Sequence, residues 1–154
     1  MPSLDSIERQ LMDLARSHAE TCSDDVHSKV GCIIAKNGNI LAMGANRIPD
    51  GLKVLPNRLQ RPTKYDWIEH AERVTIYSAA KRGVKLDGAS MFLPWFPCLD
   101  CTRAIISVGI TKLYAEVPDR EALQTEDSWG FATALAMLEE ARVTLVDVRR
   151  QEAS

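Results

Sequence analysis

His70-Ala71-Glu72 and Pro97-Cys98-Leu99-Asp100-Cys101 are the two segments on which the reading of this chain turns, the second beginning 25 residues after Glu72. One imidazole and two thiols are three N/S donors, the number a catalytic zinc takes when it keeps a fourth position for water. Glu72 adds a carboxylate that need not be a ligand. Cys98 and Cys101 are three apart, so on a helix they lie on one face. Pro97 suits the entry to that helix because its missing N–H would be unpaired there in any case. A helix N-terminus carries partial positive charge, which favours thiolate, the metal-binding form. His70 and Glu72 are two apart and do not share a face in mid-helix. They can serve one site only where a loop turns into a helix, so the spacing predicts a helix from His70 to about Lys81, with Gly83 as its stop.

A Cys-x-x-Cys pair alone also fits a structural zinc half-site or a redox pair. A structural zinc needs a fourth Cys or His, and Cys22, Cys32, His18 and His27 are available to supply one. Taken together, however, the order His-x-Glu…Pro-Cys-x-x-Cys is the signature of the zinc-dependent nucleobase deaminases. From about Val30 to Val117 the chain resembles the cytidine/deoxycytidylate deaminase superfamily. The resemblance implies a Zn2+ cofactor held by His70, Cys98 and Cys101, with Glu72 as the catalytic proton shuttle. It also implies a three-layer α/β/α fold with a mixed five-stranded sheet, and a homo-oligomer.

Composition agrees with one soluble enzyme domain over residues 1–154. The chain has 154 residues, 45% apolar and 26% charged, and a net charge of −2; these are ordinary globular values. A negative balance argues against a surface that coats nucleic acid. No apolar run approaches the roughly 20 residues of a membrane span, and the first residues lack the basic and apolar segments of an export signal. A cytoplasmic location is the expectation. Four cysteines at these spacings read as metal ligands and core residues, not as a disulfide framework.

Outward from the two motifs, the element pattern reads α-β-β-α-β-α-β-α-β. Residues 4 to about 20 form an amphipathic helix after a cap at Ser3 or Asp5. Asp24 to Lys29 are a polar loop. Val30–Ala35 is a buried strand containing Cys32, and Asn37-Gly38 is a hairpin turn returning through Ile40–Ala45. Ala89 to Phe92 or Leu93, Lys112–Glu116 and Val143–Val148 are further strands. Pro118–Glu126 is a polar connection, and residues from about 128 to 141 are a helix. Residues 52 to 69 carry two prolines without periodicity and read as a long ordered loop, of the kind that usually serves function.

Several residues are candidate substrate contacts. Gly44 to Gly51 resembles the substrate loop of deoxycytidylate-deaminase-like proteins, which implies that Asn46 hydrogen-bonds sugar or base; a turn-stabilising Asn is the alternative. Ala71, Trp95, Phe96 and Pro97 flank the metal motifs, where aromatic rings stack on a flat base, wall the cavity, or pack in the core or a subunit contact. Trp129-Gly130-Phe131 reads either as a cap on the site from the C-terminal side, as in some relatives, or as core. Lys53, Arg58, Arg61 and Lys64 put positive charge beside the site, for a phosphate or simply for solvent.

The expected reaction is hydrolytic: a zinc-activated water displaces an exocyclic amine from a pyrimidine nucleotide, dCMP to dUMP. Two departures from the family pattern keep other small-molecule amino-heterocycles open, among them free nucleobases and nucleosides. These are Arg73-Val74-Thr75-Ile76 after the His-Ala-Glu triplet, where many relatives carry Asn within a few residues, and Trp95-Phe96 before Pro97. A non-catalytic zinc-stabilised binding module is the alternative outside enzymology, and Glu72 argues against it.

Overall fold

The Asp5 carboxylate accepts the Glu8 N–H at 2.8 Å while the Glu8 carboxylate accepts the Asp5 N–H at 2.9 Å. This reciprocal capping box satisfies two otherwise unpaired donors and opens helix α1, Ser6–Cys22. The computed structural model describes residues 4–125, 127 and 129–152. After α1 come strands β1 (Gly31–Lys36) and β2 (Asn39–Ala45), then helices α2 (Lys64–Trp67) and α3 (Ala71–Arg82). Strand β3 (Ser90–Leu93), α4 (Leu99–Ser107), β4 (Lys112–Ala115), α5 (Arg120–Leu123), α6 (Phe131–Glu140), β5 (Thr144–Asp147) and α7 (Arg149–Glu152) complete the chain.

The strands form one mixed five-stranded sheet in the order β2-β1-β3-β4-β5. Strand β1 is antiparallel to both neighbours, whereas β3, β4 and β5 run parallel. Asn37 and Gly38 both take positive φ, 52° and 76°, as a tight primed hairpin turn requires. Side chains alternate across the sheet and so divide the core in two. Cys32, Ile34, Met91, Leu93, Leu113 and Ala115 face α3, α4 and α6. Ile33, Ala35, Phe92 and Tyr114 face Leu11, Met12 and Ala15 of α1. The expected three-layer α/β/α arrangement follows from this alternation.

Four local expectations change. The 52–69 segment is not plain loop: Pro56–Arg58 is a 3-10 turn and α2 is a short helix. Proline at the first position of a helical turn has no N–H to lose, which suits Pro56 there. The polar connection contains α5, started by the Asp119 carboxylate accepting the Glu121 N–H. The last long helix begins at Phe131, not near 128, because Gly130 takes φ +71° and leaves Trp129 in the preceding turn. Ser128, the expected start, lies outside the described residues. Finally, β5 is followed by α7, for which four residues carry no readable periodicity.

Gly44 explains how β2 meets α3. A Cβ on Gly44 would lie 2.7 Å from Thr75 Oγ1 and 3.0 Å from Val74 Cγ1. Thr75 is fully buried and donates its hydroxyl to Ala71 O at 2.7 Å, so it cannot withdraw. Gly44→Ala is therefore expected to cost about 1–3 kcal/mol by overpacking, read as a lower denaturation midpoint in urea at unchanged slope. A shift under 0.5 kcal/mol would show that the contact relaxes.

Candidate active site

Helices α3 and α4 begin side by side at the carboxyl end of β3, where the sheet changes from antiparallel to parallel pairing. Crevices at such reversal points are where open α/β sheets bind ligands. His70 is the N-cap residue of α3 and Cys98 that of α4, so neither is yet helical. This resolves the two-residue spacing: His70, in extended backbone, and Glu72, in the first turn, address the same space. The His70 N–H donates to Glu69 Oε1 at 2.9 Å, and Arg73 Nε donates to the same oxygen at 2.7 Å. Arg73 also lies 3.6 Å from Asp100, between the two cysteines in sequence. One guanidinium thus bridges the starts of both helices.

The three donors fit zinc on their own distances. His70 Nδ1 lies 3.5 Å from Cys98 Sγ and 3.5 Å from Cys101 Sγ. Bonds of about 2.3 Å to sulfur and 2.0–2.1 Å to nitrogen, tetrahedrally disposed, give an S···N edge of about 3.5 Å. All three donor atoms fall within 4.8 Å of one another, and among the described residues no other group of three or more His, Cys, Asp or Glu does so. His18, Cys22, His27 and Cys32 are therefore not fourth ligands. Cys32 sits in the core with its thiol pushed far up by burial.

The sulfurs are coupled. Hydrogen bonding with Cys101 draws the Cys98 thiol down to about 4 against its burial, and His70 acts in the same direction. The bond to Cys98, then burial, holds Cys101 up. The pair gives up one proton readily and shares the other until a cation displaces it. The bond to Cys98 raises His70. Glu72 is 4% exposed, and burial pushes its carboxyl above the usual range.

Above this centre is a cleft of about 750 Å³, including its open mouth. Cys98, His70 and Glu72 lie on its wall, with Asn46, Ala71, Trp95 and Phe96 as the sequence suggests. Pro97 is buried and is not on the wall. Asn46 is heavily engaged: Oδ1 accepts from Val30 N and Ser23 Oγ, and Nδ2 donates to Ser28 O at 2.7 Å. Its amide braces the wall. Trp129 stands edge-on to His70, with ring centroids 6.2 Å apart, and Phe131 edge-on to Phe96 at 5.3 Å. A Cβ on Gly130 would fall 2.6 Å from the Leu99 side chain, so this turn is seated directly on α4.

Asp25, Ser28, Tyr65 and Ile68 also line the cleft, and sequence reasoning did not single them out. Asp25 Oδ1 accepts the N–H groups of His27 and Ser28, and Oδ2 accepts from Lys64 Nζ at 2.8 Å. An acidic residue that turns its own loop reads in sequence only as a polar loop.

The family described as cytidine and deoxycytidylate deaminase zinc-binding region matches residues 5–117. This chain belongs to that family. A relative, the uncharacterized deaminase in the luxG 3′ region of Aliivibrio fischeri, is 34% identical over 111 residues, 70% of this chain and 69% of the relative. Human deoxycytidylate deaminase is 37% identical over 100 residues, which are 59% of this chain and 54% of the human one. The chain thus spans about half the length of that relative. The dCMP deaminase of cyanophage S-TIM5, solved in complex with dCMP and dUMP, superposes over 94% of this chain and 98% of its own, with TM-score 0.73 and 26% identity. The architecture is that of the cytidine-deaminase-like fold. No helix among the described residues is long and apolar enough to cross a membrane.

Proposed function

We propose that this chain is a zinc-dependent hydrolytic deaminase of a pyrimidine nucleotide, converting dCMP to dUMP, and that residues 1–154 are its single deaminase domain. The observation that carries the reading is the His70, Cys98, Cys101 donor triangle with the buried Glu72 carboxylate beside it at the base of one cleft. The human and cyanophage relatives named for dCMP support the choice of substrate.

Zinc held by these three residues supplies Lewis-acid activation of water for attack. Glu72 accepts a proton from the attacking water and delivers it to the ring nitrogen. A carbon–oxygen bond forms at C4 of cytosine. Glu72 then takes the second water proton and passes it to the exocyclic amine, the C4–N bond breaks, and ammonia leaves a carbonyl behind. One carboxylate serves both directions because the base and acid steps are successive. Phe96 and Ala71 exclude water from the flat faces of the base, and Trp95 and Trp129, about half exposed, stand nearer the mouth.

The reading extends to a cytoplasmic homo-oligomer. Exposed Leu52, Val54, Leu55 and Tyr65 support self-association, as apolar surface of this kind marks contact sites. Ammonia release by the zinc-loaded protein from dCMP, cytidylate, deoxycytidine, cytosine and guanine tests the substrate. Preference for dCMP over deoxycytidine by about tenfold, 1.4 kcal/mol of discrimination, is the expected result. Turnover of a free base in preference to dCMP would discard the nucleotide reading and keep the zinc chemistry.

A further inference from the structure

The 52–69 segment carries four cations beside the cleft, and their surroundings separate them. Lys53 does not reach the wall. Arg58 is committed, its Nη1 donating to Lys53 O at 2.9 Å and its guanidinium lying 3.6 Å over the Trp67 ring. Lys64 is on the wall but buried against Asp25 Oδ2, and the two charges cancel. Arg61 is on the wall, exposed, and has no hydrogen bond or ion pair among the described residues.

The geometry points to Arg61 as the residue that reads an anionic group on the substrate, the phosphate of a nucleoside monophosphate, from the mouth of the cleft. This rests on the nucleotide reading above. The amine-bearing base must reach Glu72, which is 4% exposed, so the other end of the substrate faces outward, where Arg61 stands. A guanidinium presents paired N–H donors that match phosphate oxygens. Asp25 and Lys64 neutralise each other, and Glu72 belongs to the reaction centre. Arg61 is therefore the wall's uncompensated cation away from that centre.

Its backbone is held in place as well. The Lys64 N–H closes on Gln60 O at 2.8 Å, making a turn of residues 60–64. The buried Lys64–Asp25 pair pins that turn to a loop 39 residues earlier in the chain. On the same wall the Ser28 hydroxyl has no hydrogen-bond partner among the described residues, and a hydroxyl is a usual second donor to phosphate.

The test compares wild type, Arg61→Gln, Arg61→Lys and Arg58→Gln, each with measured zinc content, on dCMP and deoxycytidine. Kinetics give kcat and KM. Calorimetric titration of the same substitutions in a Glu72→Gln background gives Kd without turnover. Arg61→Gln should raise KM and Kd for dCMP at least about tenfold more than for deoxycytidine, with kcat moved little. Arg61→Lys should fall between, and Arg58→Gln, which removes equal charge off the wall, should leave the dCMP preference within about twofold of wild type. A wild-type dCMP preference that survives Arg61→Gln overturns the assignment and leaves the proposed reaction standing. Loss from Arg58→Gln as large as from Arg61→Gln also overturns it, since general charge would then suffice. A wild type that binds and turns over dCMP no better than deoxycytidine removes the nucleotide reading itself, and the role of Arg61 with it.

Discussion

Glu72→Gln should lose about 10³-fold in turnover, within the 10²–10⁴ that positioned acid–base catalysis contributes, while keeping its zinc and its fold. The substitution is nearly isosteric at a position 4% exposed, so packing in the first turn of α3 changes little. The three proposed zinc donors are other residues, so metal content should stay at one equivalent. What disappears is the group proposed to take a proton from water and return it to nitrogen, because an amide does neither. The measurement is ammonia release by the variant alongside metal analysis and a thermal melt. A variant with more than a tenth of the wild-type rate and full zinc would remove Glu72 from the role. A variant that has lost its zinc would instead assign the carboxylate to metal retention.

The grouping of His70, Cys98 and Cys101 was legible in the sequence because metal chemistry constrains spacing tightly. Two residues between cysteines and one between His70 and Glu72 leave few backbone paths, and helix entry satisfies both. The sheet was legible for a related reason. Val30–Ala35 and the Asn37-Gly38 turn specify a hairpin, and short apolar runs at Met91 and Leu113 have only the sheet in which to be buried. The structure then made His70 and Cys98 caps and not members of their helices, a distinction of one residue at which pattern reading has no purchase.

The cleft wall was less legible, and the reason is again physical. Asp25, Ser28 and Arg61 reach it from loops and Lys64 from the start of the short helix α2, in two segments without periodicity, and nothing local in either announces the other. Lys64 looked like one of four equivalent cations. It is in fact 4% exposed and paired to Asp25, and only tertiary structure sets it apart from Arg61 three residues earlier. Asn46 shows the converse. Its position in a family-like loop suggested a substrate contact, and its amide proves to be engaged with Ser23, Ser28 and Val30, which ties together the loops on that side.

The Asp25–Lys64 pair should be the most costly surface-distant contact to break singly. Both side chains are nearly inaccessible, 6% and 5%, and join Nζ to Oδ2 at 2.8 Å. Removing one partner of a buried pair typically costs about 3–5 kcal/mol, because the other is left desolvated and uncompensated. Lys64→Met is therefore expected to lower unfolding free energy by about that amount. Asp25→Asn keeps an oxygen for the His27 and Ser28 N–H groups but strands the ammonium, so it too should destabilise. The double variant has neither stranded charge, and its loss should fall short of the sum of the singles by up to about 3 kcal/mol. The pair also has a pH signature. Burial alone would raise the Asp25 carboxyl, yet the Lys64 hydrogen bond, the His27 and Ser28 N–H groups and the Lys64 charge outweigh it, and the net shift is downward. A carboxyl whose folded value lies below its unfolded one stabilises fully above the unfolded value, about 4, and loses that contribution as pH falls through the folded value. Urea denaturation from pH 7 to pH 2 should accordingly show wild type losing more stability below pH 4 than Asp25→Asn does. Parallel curves for the two proteins, or a Lys64→Met cost under 1 kcal/mol, would mean that water enters beside the pair and screens it. The 52–69 segment would then have to be held to the cleft by its apolar side chains, with Tyr65 and Ile68 the first to test.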